Sequence, residues 1–554
     1  MNFKDYMNGN DIVDINANYS VDVANIKRQL NATVEKDFNE SAILSDFNRG
    51  KEILSLHGEE IYIHDLSKAL ILPYCYSYPL LSLVTDGIKF SDFTSKPAKR
   101  LDTFISHLRE FASHVAVRTR GACGFPDLFV CMAHYVKKED LFSTPEKTKF
   151  LENKIQSFFY SLNENLREGS EAMFSNVNFF DKYFLEDLFS ESYFPILDID
   201  IEDVIEFQNF VMDWHTNEVT KTKMLRFPVI TTTLLKDKNN MVIDKEFYKR
   251  VCENNSKHTM YNILALENTG SIASCCRLIN DMNTPFLNSL GSGGLQIGSI
   301  GVASLNLPHI YLKYGKDKFF DRVKYLCDII MEFHDWHRSF LKRVEDIDSL
   351  VQSGLRVYDR MFSTFGIIGF WDLKEVGNFS WDEMETFAKN LNEYIKSYNK
   401  FTNIEIVPAE SACVTLFDND KKIFNNDYYK KTSMYSNQIV SPWINLSIPE
   451  IAMKTGKIAK YMTGGSMTFI PVMSNFENPE QMETIMNGVI QSGVPYFAFD
   501  TDLSECEDEH LMTMRVDSCP VCGKDIEKHF RRVVGYFVNT KSMRERVVRD
   551  LKLR

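Results

Sequence analysis

A group of potential metal ligands lies close to the end of the chain. Cys519 and Cys522 form a C-x-x-C pair, and the proline and glycine around them form the tight knuckle that lets two thiolates face one tetrahedral ion. Upstream of the pair lie Cys506 and His510. The sequence therefore predicts a structural zinc site in which Cys506, His510, Cys519 and Cys522 are the ligands.

The fourth ligand of this site has alternatives. Glu509 and His529 also lie near the pair, but His510 is preferred because imidazole suits zinc better than a lone carboxylate does. Free thiols in a turn are a second interpretation of Cys519 and Cys522. A redox C-x-x-C pair would normally open a helix beside a βαβ unit, which this sequence does not resemble. A bound ion would give this short segment folding energy that it otherwise lacks.

The run RRVVGYF, residues 531–537, places Gly535 a short distance beyond the cysteine pair. Taken alone, a glycine in such a run indicates a bulge or a close backbone approach within a strand. After a cysteine knuckle and near the terminus, however, the run resembles the glycyl-radical motif, in which a glycine Cα stores an unpaired electron. Only glycine has a Cα without a side chain, so the radical carbon can become planar and an activating enzyme can reach its hydrogen.

A series of further motifs extends over most of the chain. With the number of the first residue, they are NAN (16), IYIHDL (61), PYCYSYPLLSLVTDG (73), GACGFPDLF (121), FPVITTTL (227), ASCCRL (273), GSIGVASLNLP (298), VPAES (407), YSNQIVSPW (435) and TGGSM (463). Each motif is weak by itself. Their order and spacing together resemble the anaerobic (class III) ribonucleoside-triphosphate reductases.

The resemblance implies catalytic roles for four residues. Cys276, the last cysteine of ASCCRL, would become a thiyl radical that exchanges hydrogen with Gly535 and with C3′ of the ribose. Cys75 would supply hydrogen to C2′ as the hydroxyl leaves as water. Glu410 would lie near the ribose and shuttle a proton from a hydroxyl, although an exposed or salt-bridged glutamate is the alternative.

Substrate-binding roles are also expected from the matching motifs. His64, with Asp65, either orients a turn near the substrate or caps a helix. The glycines of TGGSM either let backbone N–H groups approach a triphosphate or form a tight turn. The predicted substrate-binding residues are His64, Ser274, Cys275, Ser299, Gly464, Gly465 and Ser466.

The same resemblance implies cofactors and partners. An iron–sulfur activating enzyme would generate the glycyl radical with S-adenosylmethionine, and a deoxynucleotide or ATP would bind as an allosteric effector at a homodimer interface. The vicinal Cys275 and Cys276 favour a thioredoxin- or glutaredoxin-like dithiol protein as electron donor, with formate as the alternative. Because only 60 residues precede IYIHDL, we expect no N-terminal ATP-cone domain.

Composition excludes several other classes of protein. The formal net charge is −13 and there is no polybasic run, which argues against a nucleic-acid-coating surface. The apolar segment 69–85 contains two prolines and is shorter than the roughly 20 residues that a membrane span needs. With no export signal, we expect a soluble, cytoplasmic protein whose eleven cysteines are reduced thiols or ligands.

The elements that must position these residues alternate along the chain. Apolar spacings of three and four predict helices at 101–112, 319–331 and 380–398, the last with a capping box of Ser380 and Glu383. Short β-rich runs begin at residues 227, 298, 403 and 467. This alternation favours one large α/β body.

The resemblance further implies a ten-stranded α/β barrel of the glycyl-radical enzyme and ribonucleotide reductase type, with a finger loop inside. We divide the chain into a catalytic barrel (1–500), a cysteine-rich zinc-binding module (501–525) and a C-terminal glycyl-radical segment (526–554). The predicted function is the reduction of ribonucleoside triphosphates to 2′-deoxyribonucleoside triphosphates for DNA precursor synthesis. The alternatives are another glycyl-radical enzyme of the formate-lyase or dehydratase type, and a non-enzymatic zinc-ribbon protein.

Overall fold

A computed structural model of the 554-residue chain describes residues 23–90, 92–167, 169, 171–221, 224–273, 279–281, 295–472, 476–532, 536–540, 549 and 552–553. The predicted residues Ser274, Cys275, Cys276 and Gly535 lie outside these ranges, as does the NAN motif. The strands are β1 (Ile61–Ile63), β2 (Cys75–Ser77), β3 (Cys123–Phe125), β4 (Ser175–Phe180), β5 (Val229–Leu235), β6 (Asn262–Leu266), β7 (Ser271–Ala273), β8 (Ile279–Asp281), β9 (Gly298–Asn306), β10 (Met361–Ile368), β11 (Thr402–Ile406), β12 (Thr468–Pro471), β13 (Tyr496–Asp500), β14 (Asp502–Cys506), β15 (Leu511–Met512), β16 (Ile526–Arg532) and β17 (Phe537–Asn539).

The main sheet consists of two parallel halves in the order β11-β10-β9-β2-β3-β4-β5-β6-β13-β12. Strands β2 to β6 run parallel to one another, as do β9 to β11 and the pair β12 and β13. The halves meet in antiparallel fashion where β2 pairs with β9 and where β6 pairs with β13. The short β1 also pairs with β9.

The two ends of this strand order are brought together just ahead of β12. A parallel bridge joins Glu405 of β11 to Gly465, and the Ile406 N–H donates to the Gly465 carbonyl. A closed mixed sheet of ten strands in two halves of five confirms the predicted barrel.

Helices cover the outside of the barrel. They are α1 (Val23–Asp46), α2 (Gly50–Leu56), α3 (Leu81–Thr85), α4 (Leu101–Ala116), α5 (Leu128–Lys138), α6 (Pro145–Leu162), α7 (Lys182–Phe189), α8 (Phe194–Leu197), α9 (Ile201–Lys221), α10 (Lys245–Asn255), α11 (Leu307–Lys342), α12 (Ser349–Gln352), α13 (Phe370–Gly377), α14 (Trp381–Lys396), α15 (Glu410–Ile423), α16 (Ile448–Ala459) and α17 (Pro479–Gln491). The predicted helices correspond to α4, α11 and α14, and the Ser380–Glu383 capping box is present at α14. The predicted strands correspond to β5, β9, β11 and β12.

Burial along the strands explains why their sequences do not alternate. All nine residues of β9 are buried, because helices cover the outer face while the inner face is enclosed by the other strands. One apolar core lies mainly between β2–β6 and their helices, and a second between β9–β11, α11 and α14. No helix among the described residues is long and apolar enough to cross a membrane.

Two smaller sheets carry the segments that flank the predicted radical residues. The hairpin of β7 and β8 lies between β6 and β9 in the chain, where the finger loop is expected. Strands β15, β14, β16 and β17 form a separate four-stranded sheet that includes residues on both sides of position 525. The cysteine segment and the stem of the Gly535 segment therefore share one sheet.

Candidate active site and metal site

Cys75 is held at the junction between the two halves of the barrel. It is buried and is paired in register with Ser299 of β9. The backbone N–H of Ala122 donates to its Sγ at 3.2 Å. A Cβ at Gly121 would lie 2.7 Å from this sulfur and 2.7 Å from the Tyr74 carbonyl oxygen, so only glycine allows this close approach. The backbone thus fixes the position of the thiol.

The hydroxyl of Ser299 extends this polar group into the second half of the barrel. Its Oγ lies 3.0 Å from the Gly301 carbonyl oxygen and 2.8 Å from Oγ1 of Thr364 on β10. Ser299 and Gly301 lie in β9, and Thr364 lies in the parallel neighbour β10. The structure therefore places Ser299 directly opposite Cys75, as two residues that lie far apart in the sequence.

His64 follows β1 and lies in a turn, and no helix lies between it and Leu81 in this described part of the chain. Its Nε2 is 2.7 Å from the Ser304 hydroxyl, and its N–H donates to the Val302 carbonyl. Burial lowers the pKa of the imidazole to about 4, because desolvation disfavours the charged form. His64 is thus a neutral imidazole attached to β9, in keeping with an orienting role and not with helix capping.

Glu410 is the first residue of α15 and is buried. Its carboxylate accepts a hydrogen bond of 2.9 Å from the amide of Asn437, which belongs to the YSNQIVSPW motif. The unpaired N–H groups at a helix N-terminus favour negative charge in their vicinity. The exposed alternative for Glu410 is therefore removed, and Asn437 is a site residue that sequence reasoning missed.

The backbone N–H groups of the two glycines of TGGSM donate hydrogen bonds to other backbone carbonyls. The Gly464 N–H donates to the Ile404 carbonyl at 2.7 Å, and the Gly465 N–H donates to the Met462 carbonyl at 2.8 Å. Gly465 has φ of 105°, a conformation that side-chain-bearing residues rarely adopt. This geometry favours the tight turn over triphosphate binding by these two N–H groups. Ser466 differs, because its buried Oγ has no hydrogen-bond partner among the described residues.

The stem of the Gly535 segment is fixed to the barrel by Arg532. This guanidinium is fully buried and donates to the Phe499 carbonyl (2.9 Å), to Oδ1 of Asn262 (3.0 Å) and to the Thr259 carbonyl (2.8 Å). It also lies 4.5 Å from the ring centroid of Phe537, which is its partner in the β16–β17 pairing.

Tyr536 holds the other side of the segment. Its ring lies 5.2 Å from the ring of Phe174 and 5.2 Å from that of Phe227, measured between centroids. Arg532 and Tyr536 are therefore attached to both halves of the barrel. Arg532 bonds to residues of β6 and β13, and Tyr536 packs against rings just ahead of β4 and β5. Arg532 and Tyr536 were not predicted as site residues, although both lie within the RRVVGYF run.

The predicted metal ligands are brought together at the end of β14. The ligand atoms of Cys506, His510, Cys519 and Cys522 all lie within 4.8 Å of one another. Sγ of Cys506 is 3.6 Å from Sγ of Cys522, and Nδ1 of His510 is 3.5 Å from Sγ of Cys506 and 3.7 Å from Sγ of Cys519. Tetrahedral zinc, with bonds of about 2.0–2.3 Å, requires ligand separations of roughly 3.5–3.8 Å, so this donor set fits the ion.

His529 and Glu509, the alternative candidates for the fourth ligand, lie outside the metal cluster. Nδ1 of His529 lies 3.1 Å from the Ser504 hydroxyl, and Glu509 occupies a turn with φ of 62°. Neither residue belongs to the cluster. In the knuckle itself, the Val521 N–H donates to Sγ of Cys519 at 3.4 Å, and Gly523 has φ of 74°. His510 is therefore the fourth member that the geometry favours.

Comparison with known proteins supports the family resemblance. The family model "Anaerobic ribonucleoside-triphosphate reductase" matches residues 15–554. No curated protein matches the chain. Among solved structures, the anaerobic ribonucleotide reductase from Thermotoga maritima with MES in the active site is 27% identical, with a TM-score of 0.82 over 96% of this chain and 92% of that one.

Two further structures of the Thermotoga maritima enzyme are equally similar. The complex with dATP and CTP is 26% identical, with a TM-score of 0.82 over 96% of this chain and 92% of that one. The structure with dATP bound in the specificity site is 27% identical, with a TM-score of 0.81 over 94% and 90% of the two chains. The similarity thus extends over nearly the full length of both proteins.

Proposed function

The chain belongs to the anaerobic ribonucleoside-triphosphate reductase family, and from this premise we propose that its reaction centre combines Cys75, Cys276 and Glu410 with a radical stored at Gly535. Family membership makes the protein an oxidoreductase that reduces ribonucleotides, as the sequence predicted. The formate-lyase or dehydratase alternative is not favoured by the matches.

The observation that carries the proposal is the attachment of the Gly535 stem to the barrel. Arg532 bonds to residues of β6 and β13, and Tyr536 packs against rings next to β4 and β5. Arg532 and Tyr536 are thus buried anchors on either side of Gly535 in the sequence, and β6, which accepts from Arg532, leads into the segment where the finger loop is expected. This arrangement supports delivery of a radical from Gly535 towards Cys276.

The proposed reaction balances in atoms and electrons. A hydrogen atom moves from the Cys276 thiol to the Gly535 Cα, and the resulting thiyl removes hydrogen from C3′ of the ribose. Glu410 takes the proton of the C3′ hydroxyl and passes it to the C2′ hydroxyl, which leaves as water, and Cys75 supplies a hydrogen atom to C2′. The external reductant supplies two electrons and two protons, which restore the Cys75 thiol and reduce the C3′ ketone to a C3′ radical. The hydrogen then returns from Cys276 to C3′, and the Cys276 thiyl takes back its hydrogen from Gly535. The protein aligns these groups and excludes oxygen and bulk solvent.

The described residues suit these tasks. The Ala122 N–H and Gly121 hold the Cys75 thiol in place. Glu410 accepts from Asn437 at one carboxylate oxygen, and a carboxylate at this position can take a proton from a ribose hydroxyl and return it to the leaving group. The neutral imidazole of His64 can donate or accept a hydrogen bond at one nitrogen without adding charge.

The remaining partners are proposed from the family and from the chain's own motifs. We expect zinc, held by Cys506, His510, Cys519 and Cys522, to fix the C-terminal sheet without taking part in the reaction. A radical S-adenosylmethionine activase would generate the glycyl radical, and a redoxin is favoured over formate as the reductant. A homodimer that binds dNTP or ATP effectors is expected, because a relative of similar length is described with dATP in a specificity site.

The decisive experiment is anaerobic activation followed by product analysis. The protein is incubated with its activase, S-adenosylmethionine and a reductant, and a glycyl doublet is recorded by EPR spectroscopy. Ribonucleoside triphosphates are then added, and 2′-deoxy products are measured by chromatography. Gly535→Ala should abolish the doublet, whereas Cys75→Ser should retain the doublet and abolish the product.

The control is Cys327→Ser, because Cys327 is an equally buried thiol in α11 that has no proposed role. Activity of Cys75→Ser equal to that of Cys327→Ser would contradict the proposed role of Cys75. A doublet in Gly535→Ala would contradict the role of Gly535.

A further inference from the structure

A cavity of about 60 Å³ lies outside the reaction centre, between α1, the end of α4, the loop around residues 68–72, and Arg167 and Glu171. A water molecule needs roughly 10–15 Å³ on this scale, so the cavity accepts about four waters or one tetrahedral oxyanion. Its charged lining consists of Arg28, Lys68, Arg120, Arg167, Glu35 and Glu171. The size and the preponderance of cations indicate an anion as the ligand.

Among the residues that the structure describes, the charges around this cavity do not balance. Arg28 pairs with Glu35 at 3.1 Å, Arg167 with Glu171 at 3.5 Å, and Lys68 lies 3.9 Å from both Glu171 and Asp65. These contacts set three cations against three carboxylates. Arg120 is the fourth cation, and no carboxylate of the described residues lies within ion-pair distance of it; Asp65, which also neighbours Lys68, acts on it only from a longer distance.

Arg120 is nevertheless buried, with 3% of its surface exposed. Its Nε donates to the Leu72 carbonyl and its Nη2 to the Ile300 carbonyl, each at 2.9 Å. Carbonyl oxygens satisfy these donors but do not neutralise the charge, and an uncompensated buried charge is costly. Arginine also presents a planar set of donors that matches phosphate geometry. An oxyanion in the cavity would supply the missing negative charge and accept the remaining N–H groups.

We propose that this cavity binds one phosphoryl-type oxyanion, either free inorganic phosphate or the terminal phosphate of a nucleotide, with Arg120 as its principal ligand. Lys68 and Arg167 are the neighbouring donors, both buried. This binding does not depend on the radical roles of Gly535 and Cys276.

The same side chains connect the cavity to the segment that holds Cys75. Nζ of Lys68 and Nη1 of Arg167 donate to the Arg120 carbonyl at 3.0 and 3.3 Å, and Nη2 of Arg167 donates to the Gly121 carbonyl. The next peptide N–H, that of Ala122, is the donor to the Cys75 sulfur. A bound oxyanion would therefore restrain the side chains of Lys68 and Arg167. These side chains hold the peptide carbonyls that directly precede the Ala122 N–H.

The test is calorimetric titration of the full-length protein with inorganic phosphate and, separately, with ATP, at constant ionic strength maintained with chloride. Arg120→Gln removes the unpaired cation. Val117→Glu adds a carboxylate at the rim, where Val117 is 44% exposed, and so avoids a folding defect. Since charge-assisted hydrogen bonds to phosphate are among the strong ones, each change should raise the dissociation constant at least about tenfold.

Two matched variants serve as controls. Arg338→Gln removes a largely desolvated arginine that likewise donates to backbone carbonyls, and Ile423→Glu adds a carboxylate at an exposed apolar position. Both lie outside the cavity and should leave binding unchanged. If Val117→Glu weakens the binding of inorganic phosphate, the ligand of the cavity is the free ion. If phosphate does not bind but Val117→Glu weakens the binding of ATP, the ligand is the terminal phosphate of a nucleotide. Absence of binding in the wild type, or equal binding in Val117→Glu and Ile423→Glu, would overturn the proposal.

Discussion

Replacement of Arg532 by methionine tests whether the stem of the Gly535 segment is held by its guanidinium. Methionine preserves much of the side-chain volume but removes the charge and all donors. The acceptors left behind are the carbonyls of Phe499 and Thr259 and Oδ1 of Asn262, which are all buried. A hydrogen bond from a charged group contributes about 1.5–3 kcal/mol, and such contributions are not additive. We therefore expect a loss of about 3–5 kcal/mol in the free energy of unfolding.

The neighbouring arginine supplies a matched control in the same strand. Arg531 faces the other side of β16 and lies 3.8 Å from Asp500 and 3.4 Å from Asp502. It is partly exposed, with 21% of its side chain accessible. Partly exposed ion pairs of this kind contribute about 0–1 kcal/mol. Arg531→Met should therefore lower the free energy of unfolding by less than about 1 kcal/mol.

Denaturant unfolding of both variants measures the stability difference, and EPR with product analysis measures turnover per glycyl radical. A misplacement of about 1 Å at a reacting group costs roughly a hundredfold in rate. Arg532→Met should therefore retain radical formation but lose at least about tenfold in turnover per radical, while Arg531→Met keeps both. Equal stability and equal turnover in the two variants would refute the anchoring role of Arg532.

Three further changes test other parts of the structure. Gly121→Ala should keep the far-UV circular dichroism of the wild type but lower deoxynucleotide formation by about a hundredfold, because its Cβ would lie 2.7 Å from the Cys75 sulfur. The control is Gly488→Ala, where a Cβ meets nothing within 4 Å, and this variant should be fully active. Cys519→Ser should reduce the zinc content of the purified protein, measured by mass spectrometry, well below that of the wild type, and an unchanged content would contradict the proposed ligand set. Because burial lowers the pKa of His64 to about 4, the unfolded state binds a proton before the folded state does as the pH falls from about 6.5 to 4. Wild-type stability should then fall by about 1.4 kcal/mol per pH unit more steeply than that of His64→Gln, and parallel pH profiles would contradict this burial effect.

Local sequence patterns predicted the elements with strong periodicity or clear caps. The capping box at Ser380 and the buried run of β9 follow from side-chain chemistry within a few residues, so they can be recognised in one sequence. The barrel was implied only by the family resemblance. Its closure depends on long-range pairings, such as that between Glu405 and Gly465, which no local pattern encodes.

The site shows the same division between local and distant information. The four metal ligands were predicted together because they lie close in the sequence and because their chemistry is distinctive. Asn437 and Gly121 were not predicted as site residues, because what matters about them is a contact with a distant residue. The residue type of Asn437 does not indicate that it bonds to Glu410, and the residue type of Gly121 does not indicate that it contacts the Cys75 sulfur.

The two uses of glycine in this protein illustrate why residue type alone is insufficient. At Gly465 the requirement is conformational, because φ is 105°, and the N–H that seemed available for a phosphate is occupied by the Met462 carbonyl. At Gly121 the requirement is steric, because the Cys75 sulfur occupies the space of a Cβ. The proposed role of Gly535 is a third kind, since it concerns the reactivity of the Cα–H bond. Under these interpretations, alanine removes function at all three positions, so a loss of activity does not distinguish the three roles. The distinguishing measurement is the backbone geometry for Gly465, the position of the Cys75 thiol for Gly121 and the EPR doublet for Gly535.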